Sequence, residues 1–376
     1  MLRRLLAIIF ALSATLPLPA ASADSGVLDS GIVRKSAELA AAHLSASRTP
    51  TGAFVYEHDF VTGQDGAGDN IVRQAGAGYA LGYYLTFAPG AAVADRLGSA
   101  LDYYAKNSVA VGDGLMVSID GTINNANTGA TALALLAALY QFEAAGETTF
   151  ADIREKWAIA LSAVWAPDRG FRRGPQTDET SPFYDGEAWL ALAEYLRLFP
   201  DSDATAAILD DADRYFATKY VRRPNSSFNH WGLLAASSRF RATGSETMRL
   251  AVARFAQLDL IHFKPDFSPT SNTCAFVEGL AAAARTLHGD ASNLELYGYV
   301  VERLELELAK NLEMQLGAGV ETIDLGAGKY IVNEKLANWA GSFRDELYGT
   351  KTRVDTTQHC LSAMQGYLLW QQEANP

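Results

Sequence analysis

Residue types that can carry acid–base chemistry occur where apolar stretches of the sequence begin. Glu187 follows Tyr184 by three residues, so on a helix both side chains lie on one face. Arg353, Asp355 and His359 form a second group of this kind. Carboxyl, imidazole and phenol groups are the usual general acids and bases of enzymes. We therefore predict a proton-transfer site whose candidate catalytic residues are Glu187, Asp355, Tyr184 and His359.

Each candidate also has a structural interpretation. Glu187 could interact with the start of its helix or pair with a neighbouring arginine, and Asp355 could be a helix N-cap. His359 and His230 could be hydrogen-bonded histidines at helix starts. Glu278 interrupts an apolar stretch, where an unpaired carboxylate is costly. It is therefore either a proton-transfer group with a raised pKa or one member of a buried ion pair.

A second set of polar and aromatic residues occurs at the same kind of position. Amides and guanidinium groups bind hydroxyls and carboxylates, and aromatic rings stack on sugars. Helix capping is the competing interpretation for the asparagines. The predicted substrate-binding residues are Arg73, Gln74, Asn127, Asp185, His230, Trp231, Asn272, Glu278 and Arg353.

The elements that would position these residues repeat six times along the chain, each time as an amphipathic helix followed by a more apolar one. The predicted amphipathic helices cover residues 29–45, 94–107, 150–164, 204–220, 246–260 and 294–315. The apolar helix bodies cover residues 80–85, 132–142, 181–198, 233–240, 275–287 and 361–370. Polar starts recur about every 43 to 57 residues, with one gap of about 83 that contains a long loop at 317–352.

A repeat of this length indicates stacked helix pairs. An open array needs polar end caps, which the first and last pairs lack, and six pairs are enough to close a ring. We therefore predict an all-α fold, an (α/α)6 toroid of six helical hairpins with short β-hairpin loops at the cleft end. In such a ring the polar starts of the apolar helices meet at one end.

Two segments and the architecture together resemble a known superfamily. The segments are Y-D-G-E-A-W-L-A-L-A-E-Y at 184–195 and R-V-D-T-T-Q-H-C-L-S-A-M at 353–364. Both resemble helical domains of carbohydrate-linked proteins, and the second is similar to the end of glucuronyl epimerases, where Arg, Asp and His recur on one short segment. The whole chain resembles the six-hairpin (α/α)6-toroid superfamily of glycoside hydrolases, polysaccharide lyases and sugar epimerases. The resemblance implies a carbohydrate ligand.

Three functions are compatible with these residues. The leading hypothesis is a glycoside hydrolase that acts on an oligo- or polysaccharide with Glu187 and Asp355 as paired carboxylates. The second is a uronate-directed polysaccharide lyase or epimerase, in which Tyr184 or His359 removes a proton next to a carboxylate bound by arginine. The third is a non-catalytic periplasmic protein that binds glycan or assists the assembly or export of a polysaccharide.

The N-terminus predicts export. Arg3 and Arg4 precede an apolar run at 5–12, and Ala-Ser-Ala at 21–23 is a typical cleavage site. We predict a signal peptide at 1–23 and one toroid domain at 24–376, most simply in the periplasm. No later apolar run approaches the ~18 residues that cross a bilayer, so we predict no membrane span.

Charge and motifs limit the partners. The net charge of −12 disfavours nucleic acid, and nothing in the sequence predicts an oligomeric state. The chain has no G-x-S-x-G, P-loop or H-E-x-x-H motif, and its His and Cys residues lack zinc-site spacings, so we predict neither cofactor nor metal. The two cysteines, Cys274 and Cys360, are compatible with a disulfide or with two buried free thiols.

Overall fold

The computed structural model describes residues 28–146, 148–263 and 268–375, so the predicted signal peptide at 1–23 lies outside the described residues. Twelve α-helices follow one another within these ranges. They are α1 (Ser30–Ala46), α2 (Ile71–Phe87), α3 (Ala91–Lys106), α4 (Thr128–Ala145), α5 (Ala151–Ala163), α6 (Pro182–Leu198), α7 (Asp203–Arg222), α8 (Ser226–Thr243), α9 (Glu246–Gln257), α10 (Cys274–Leu287), α11 (Leu294–Leu312) and α12 (Val354–Ala374).

The helices form two concentric rings. Each even-numbered helix packs against the next, from α2 through α12, and α12 packs against α2, so the inner ring is closed. Each odd-numbered helix lies outside, between two inner helices: α3 contacts α2 and α4, and α1 contacts α12 and α2. This arrangement confirms the predicted (α/α)6 toroid.

The alternation of amphipathic and apolar helices has a direct packing cause. The outer helix α3 buries one face, which includes Leu97, Leu101 and Tyr104, whereas the inner helix α4 is buried continuously from Thr128 to Gln141. An inner helix contacts inner neighbours on two sides and outer helices behind it, so it needs apolar residues around most of its circumference. Gly82 lies against the backbone of Ala137, and this close approach joins α2 to α4.

Short strands occupy the links that lead into the inner helices. They are β1 (Glu57–Asp59), β2 (Gln64–Asp65), β3 (Ser108–Val111), β4 (Gly114–Val117), β5 (Trp165–Ala166), β6 (Gly170–Phe171), β7 (Thr322–Asp324), β8 (Tyr330–Val332) and β9 (Lys351–Arg353). β1 pairs antiparallel with β2 and with β9, and β3–β4, β5–β6 and β7–β8 are antiparallel hairpins. Because β9 continues directly into α12, this sheet lies at the end of the ring where the inner helices begin.

The inner helices begin earlier than their apolar bodies. We expected apolar bodies from residues 233 and 361, but α8 begins at Ser226 and α12 at Val354, about two turns before. Asn70 and Asn225 cap α2 and α8 by accepting hydrogen bonds from backbone N–H groups of the first turn. The polar segments are therefore the first turns of the inner helices, which places their side chains inside the ring.

The two cysteines form a disulfide between Cys274 and Cys360, the alternative that the sequence left open. Cys274 is the first residue of α10, and Cys360 lies in the second turn of α12. The bond therefore joins two adjacent inner helices at their starts, next to His359. No helix in the described ranges combines the length and hydropathy needed to cross a membrane.

We expect the disulfide to contribute substantially to stability. It closes a loop with a sequence separation of 86 residues, which corresponds to roughly 4–5 kcal/mol of unfolded-chain entropy. Replacing both cysteines with serine should lower the free energy of unfolding by about this amount in denaturant titrations. Dithiothreitol should lower the Tm of the wild type and leave that of the double variant unchanged. Equal unfolding curves for the oxidised wild type and the variant would contradict this account.

Candidate active site

The starts of the inner helices bring six predicted site residues from five helices into one group. Asn127 of α4 donates a hydrogen bond to the Tyr184 hydroxyl of α6 at 2.9 Å, and Arg73 of α2 pairs with Asp355 of α12 at 3.0 Å. The rings of His230 and His359 are 5.7 Å apart. We call the following residues the head-end cluster: Arg73, Asn127, Tyr184, Glu187, His230, Trp231, Glu278, Arg353, Asp355 and His359.

Glu187 is a buried carboxyl group, one oxygen of which makes no hydrogen bond to the described residues. Its side chain lies in the second turn of α6, the residue is 3% exposed, and its Oε2 has no hydrogen-bond partner among the described residues. Burial raises the pKa of Glu187 to about 8, against the smaller opposing effect of the His359 charge. Glu187 is therefore protonated at neutral pH and can donate a proton.

The start of α4 forms the wall beside Glu187. A Cβ on Gly129 would collide with Oε2 of Glu187 and with the ring of Tyr184, so only glycine leaves space for both side chains. Asn127 also caps α4 by accepting a hydrogen bond from the Ala130 N–H at 3.0 Å. Asn127 therefore both caps α4 and forms a hydrogen bond with Tyr184.

His359 is oriented by a buried carboxylate. Its Nδ1 lies 2.8 Å from Oε2 of Glu278, and the Ser362 hydroxyl donates to Oε1 of the same carboxylate. Burial lowers the pKa of His359, but the charge and hydrogen bond of Glu278, followed by the charge of Asp355, outweigh it and raise the pKa above 6.5. His359 and Glu278 therefore form an imidazolium–carboxylate pair, which corresponds to the buried ion pair considered for Glu278.

His230 has the opposite protonation state. It is 5% exposed, and burial followed by the charge of His359 lowers its pKa well below 6.5, despite a hydrogen bond to the backbone of Ser226. Its Nε2 has no hydrogen-bond partner within the described ranges. The neighbouring Trp231 packs edge-on against Tyr79 and is almost fully buried, so it forms part of the floor of the cluster.

Asp355 is held by two arginines. Nε and Nη2 of Arg353 donate to its two oxygens at 2.5 and 3.0 Å, and Nε of Arg73 lies 3.0 Å from Oδ2. Burial would raise the pKa of Asp355, but the hydrogen bonds and charge of Arg353 and the charge of Arg73 outweigh it and lower the pKa below 3.8. Asp355 is therefore an ionised carboxylate with most of its acceptor positions in use.

The polar groups of three predicted binding residues are hydrogen-bonded to neighbouring loops and helices. Gln74 exchanges hydrogen bonds with the backbone of Phe54 at 2.7 and 3.0 Å. Asp185 accepts from the Phe171 N–H, from Lys219 and from the Tyr220 hydroxyl, in the wall between α6 and α7. Asn272, in the loop before α10, accepts a hydrogen bond from the Cys274 N–H at 3.0 Å.

The structure adds residues that sequence reasoning missed. Ser362 orients Glu278 and follows His359 by three residues, so helical spacing could have identified it. Tyr56, which accepts a hydrogen bond from Arg73, comes from the loop before α2 and carried no such signal. One potential ligand atom from each of His230, Glu278 and His359 lies within 4.8 Å of the others, although these residues are far apart in the sequence.

Comparison with known proteins shows similarity in structure alone. No family model matches the sequence, and no curated protein matches it. The fold is similar to the GH76A α-1,6-mannanase from Salegentibacter sp. HEL1_6 (TM-score 0.65, 11% identity, 91% of this chain and 100% of that chain). It is also similar to a D-mannose isomerase (0.62, 12%, 94% and 100%) and to an unsaturated glucuronyl hydrolase specific for heparin (0.59, 12%, 92% and 99%).

These similarities show that the chain has the six-hairpin (α/α)6-toroid fold, as predicted. A second structure of the mannanase is an inactive variant, with two consecutive aspartates replaced by alanine, in complex with α-1,6-mannotetrose. The present sequence has one pair of consecutive aspartates, Asp210 and Asp211, and both lie on the outer helix α7. The carboxyl groups of its head-end cluster, Glu187, Glu278 and Asp355, lie on three different inner helices.

The raised pKa of Glu187 predicts a pH-dependent stability. The folded protein binds the Glu187 proton up to about pH 8, and the unfolded chain only up to about 4.5, so stability is lost as the pH rises between these values. The difference corresponds to roughly 4–5 kcal/mol. Glu187→Gln removes this loss, so the variant should gain stability relative to the wild type between pH 5 and 8, measured by urea unfolding.

The exposed Glu321 offers a control for this measurement. Glu321→Gln should follow the pH dependence of the wild type. A constant difference between Glu187→Gln and wild type from pH 5 to pH 9 would show that Glu187 titrates normally.

Proposed function

We propose that this protein is an exported carbohydrate-active enzyme that hydrolyses glycosidic bonds in an oligo- or polysaccharide. The observation that supports this most directly is the opposite displacement of two carboxyl pKa values within the head-end cluster. The pKa of Glu187 is raised to about 8 by burial, and that of Asp355 is lowered by its two arginines against the effect of burial. A protonated and an ionised carboxyl group in one site are the two groups that glycoside hydrolysis requires.

Glu187 is the proposed general acid. It carries a proton at neutral pH, and its Oε2 makes no hydrogen bond to any described residue that a substrate would have to displace. A glycosidic oxygen placed beside it would receive that proton as the bond to the sugar breaks. Tyr184 and Asn127, which lie in the adjacent wall, offer hydroxyl and amide groups to sugar hydroxyls.

Asp355 is the proposed ionised partner. Because Arg353 and Arg73 keep it charged, it can stabilise the positive charge that develops on the sugar ring in the transition state. The positive charge of the His359 imidazolium lowers the pKa of both Glu187 and Asp355. Glu278 keeps that imidazole in place.

Several other observations support a carbohydrate substrate and export. The structurally similar mannanase was captured with a mannotetrose, and the mannanase, the mannose isomerase and the glucuronyl hydrolase are all described as acting on sugars. The disulfide between Cys274 and Cys360 fits an oxidising compartment, as does the predicted signal peptide at 1–23.

The second candidate function is uronate chemistry, as a lyase or an epimerase. It is favoured by one observation: His359, oriented by Glu278, shares the cluster with Arg73 and Arg353. In its neutral form, an imidazole held in one orientation could abstract a proton from carbon, while arginines bind the adjacent carboxylate. In this function Glu187 would donate its own proton, either to the departing glycosidic oxygen in a lyase or to the opposite face of the same carbon in an epimerase.

A glycan panel with matched variants tests the first proposal. We expect the purified protein to release reducing ends from at least one neutral or uronate-containing polysaccharide. Glu187→Gln should lower kcat by a factor of roughly 10²–10⁴ because the general acid is lost, and Asp355→Asn should also lower it strongly. Products that absorb as unsaturated uronates form by elimination, with no water added across the broken bond. Their formation would instead support the second function.

Glu194 provides a matched control on the same helix. It is also buried in α6, but it bonds to Arg197 and Ser238 instead of joining the cluster. Glu194→Gln should keep its kcat when rates are normalised to the folded fraction. Binding of glycan without turnover, unchanged in Glu187→Gln, would exclude both enzymatic functions and favour a glycan-binding protein.

The pKa directions also predict the pH profile of hydrolysis. Glu187 must be protonated, so kcat/KM should fall as the pH rises through about 8. Asp355 must be ionised, and its lowered pKa keeps it charged to below pH 3.8, so the profile should stay level down to the point where the protein unfolds. Initial rates from pH 4 to 10 measure this. A kcat/KM that rises through pH 8 would rule out Glu187 as the acid.

A further inference from the structure

Three side chains of the head-end cluster have the composition of a metal site. His230 comes from α8, Glu278 from α10 and His359 from α12, and one potential ligand atom of each lies within 4.8 Å of the others. His230 and Glu278 are buried, and His359 is partly exposed. Two imidazoles and one carboxylate are a common ligand set for Zn²⁺ in sites that keep a fourth position open.

The distances are close to those of bound ligands. His359 Nδ1 and Glu278 Oε2 are 2.8 Å apart, and two ligand atoms on a tetrahedral Zn²⁺ with bonds of ~2.0–2.1 Å are separated by about 3.3 Å. The two imidazole centroids are 5.7 Å apart, near the ~5 Å expected for rings that share one ion. The ligand atoms of the whole group are separated by up to 4.8 Å, so the side chains must move closer together to share one ion.

The unpaired nitrogen of His230 is an independent observation that points to a ligand. Nε2 is buried and has no hydrogen-bond partner among the described residues, while the imidazole bonds to the backbone of Ser226 through its other nitrogen. That bond leaves the lone pair on Nε2, which lies in the cluster. A buried acceptor without a partner costs roughly 1–3 kcal/mol, and a metal ion would remove this cost.

A hydrogen bond from outside the ligand set orients one of the three ligands. The nearby arginines Arg73 and Arg353 are both engaged by the carboxylate of Asp355. Ser362 donates to Oε1 of Glu278, the oxygen that does not face His359. Such hydrogen bonds from outside the ligand set fix a ligand in position and typically change metal affinity 10–100-fold.

We propose that His230, Glu278 and His359 bind one divalent transition-metal ion, with Zn²⁺ preferred and Ca²⁺ and Mg²⁺ disfavoured because they prefer oxygen ligands. The ion takes the place that a proton occupies between His359 and Glu278 in the imidazolium–carboxylate pair. This site does not depend on glycoside hydrolysis, because neither of the carboxyl groups assigned to that reaction, Glu187 and Asp355, is a ligand.

Metal titration of the intact protein tests the site. After treatment with EDTA and removal of the chelator, calorimetric titration with ZnCl₂ should give one ion per chain with a micromolar or lower Kd. Co²⁺ should produce the visible absorption of a tetrahedral complex, and CaCl₂ should give no saturable binding. Failure of the wild type to bind Zn²⁺ with a Kd below 100 μM would overturn the proposal.

Variants separate this site from surface binding. His230→Gln and Glu278→Gln should weaken Zn²⁺ binding at least 100-fold, and Ser362→Ala, which keeps every ligand, about 10-fold. His288→Gln changes an exposed histidine and should bind as the wild type does. Circular dichroism and thermal unfolding establish that each variant is folded. Unchanged binding in folded His230→Gln or Ser362→Ala, or loss of binding in His288→Gln, would contradict the site.

One variant distinguishes this proposal from the proposed function. Glu187→Gln should bind Zn²⁺ with the affinity of the wild type and lose hydrolytic activity. Loss of Zn²⁺ binding in Glu187→Gln would make Glu187 a ligand and overturn the assignment of His230, Glu278 and His359 as the complete ligand set. Hydrolysis that survives in Glu187→Gln would contradict the catalytic assignment and leave the metal site intact.

Discussion

The structure depends on the closure of a ring of six inner helices that touch their neighbours along their length. Closure leaves each inner helix with almost no face that water can reach, and the bodies of α4 and α6 consist mostly of alanine and leucine. Small residues allow close approach, as Gly82 does against the backbone of Ala137. Polar side chains are tolerated mainly near the helix starts, where backbone N–H groups and linking loops supply partners.

Desolvation at this end of the ring then decides which groups carry charge. Glu187 and Asp355 are both buried carboxyl groups of inner helices, yet burial dominates the pKa of the first and arginines dominate that of the second. The same contrast separates two histidines: His359 has the carboxylate of Glu278 beside it, and His230 has no charged partner of opposite sign that offsets its burial among the described residues. Neighbouring groups of one chemical type thus acquire different protonation states from their immediate contacts.

The helix starts are held in register by interactions that the ring itself does not provide. The disulfide ties α10 to α12 one residue away from His359, and Asp185 ties α6 to the hairpin of β5 and β6 and to α7 through Phe171, Lys219 and Tyr220. Gln74 fixes the loop before α2 through the backbone of Phe54. These groups hold the helix starts in position without belonging to the cluster. Some polar residues at the helix starts therefore form the site, and others, such as Asp185 and Gln74, hold its elements together.

Amino-acid sequence alone determined the architecture, because the alternation of amphipathic and apolar helices is a local pattern and its sixfold repetition closes only as a ring. It also marked Glu187, Asp355, Glu278 and His359 as candidates, since polar residues beside apolar helix bodies are visible without coordinates. Only the tertiary structure decided their partners. The approach of Glu278 to His359 across 81 residues, the two arginines around Asp355 and the absence of a partner for Glu187 among the described residues depend on helices that pack side by side but are distant in the chain. Contacts between helices that are distant in the chain set the burial and the charge of each side chain. The local spacing of residues along the sequence encodes neither of these.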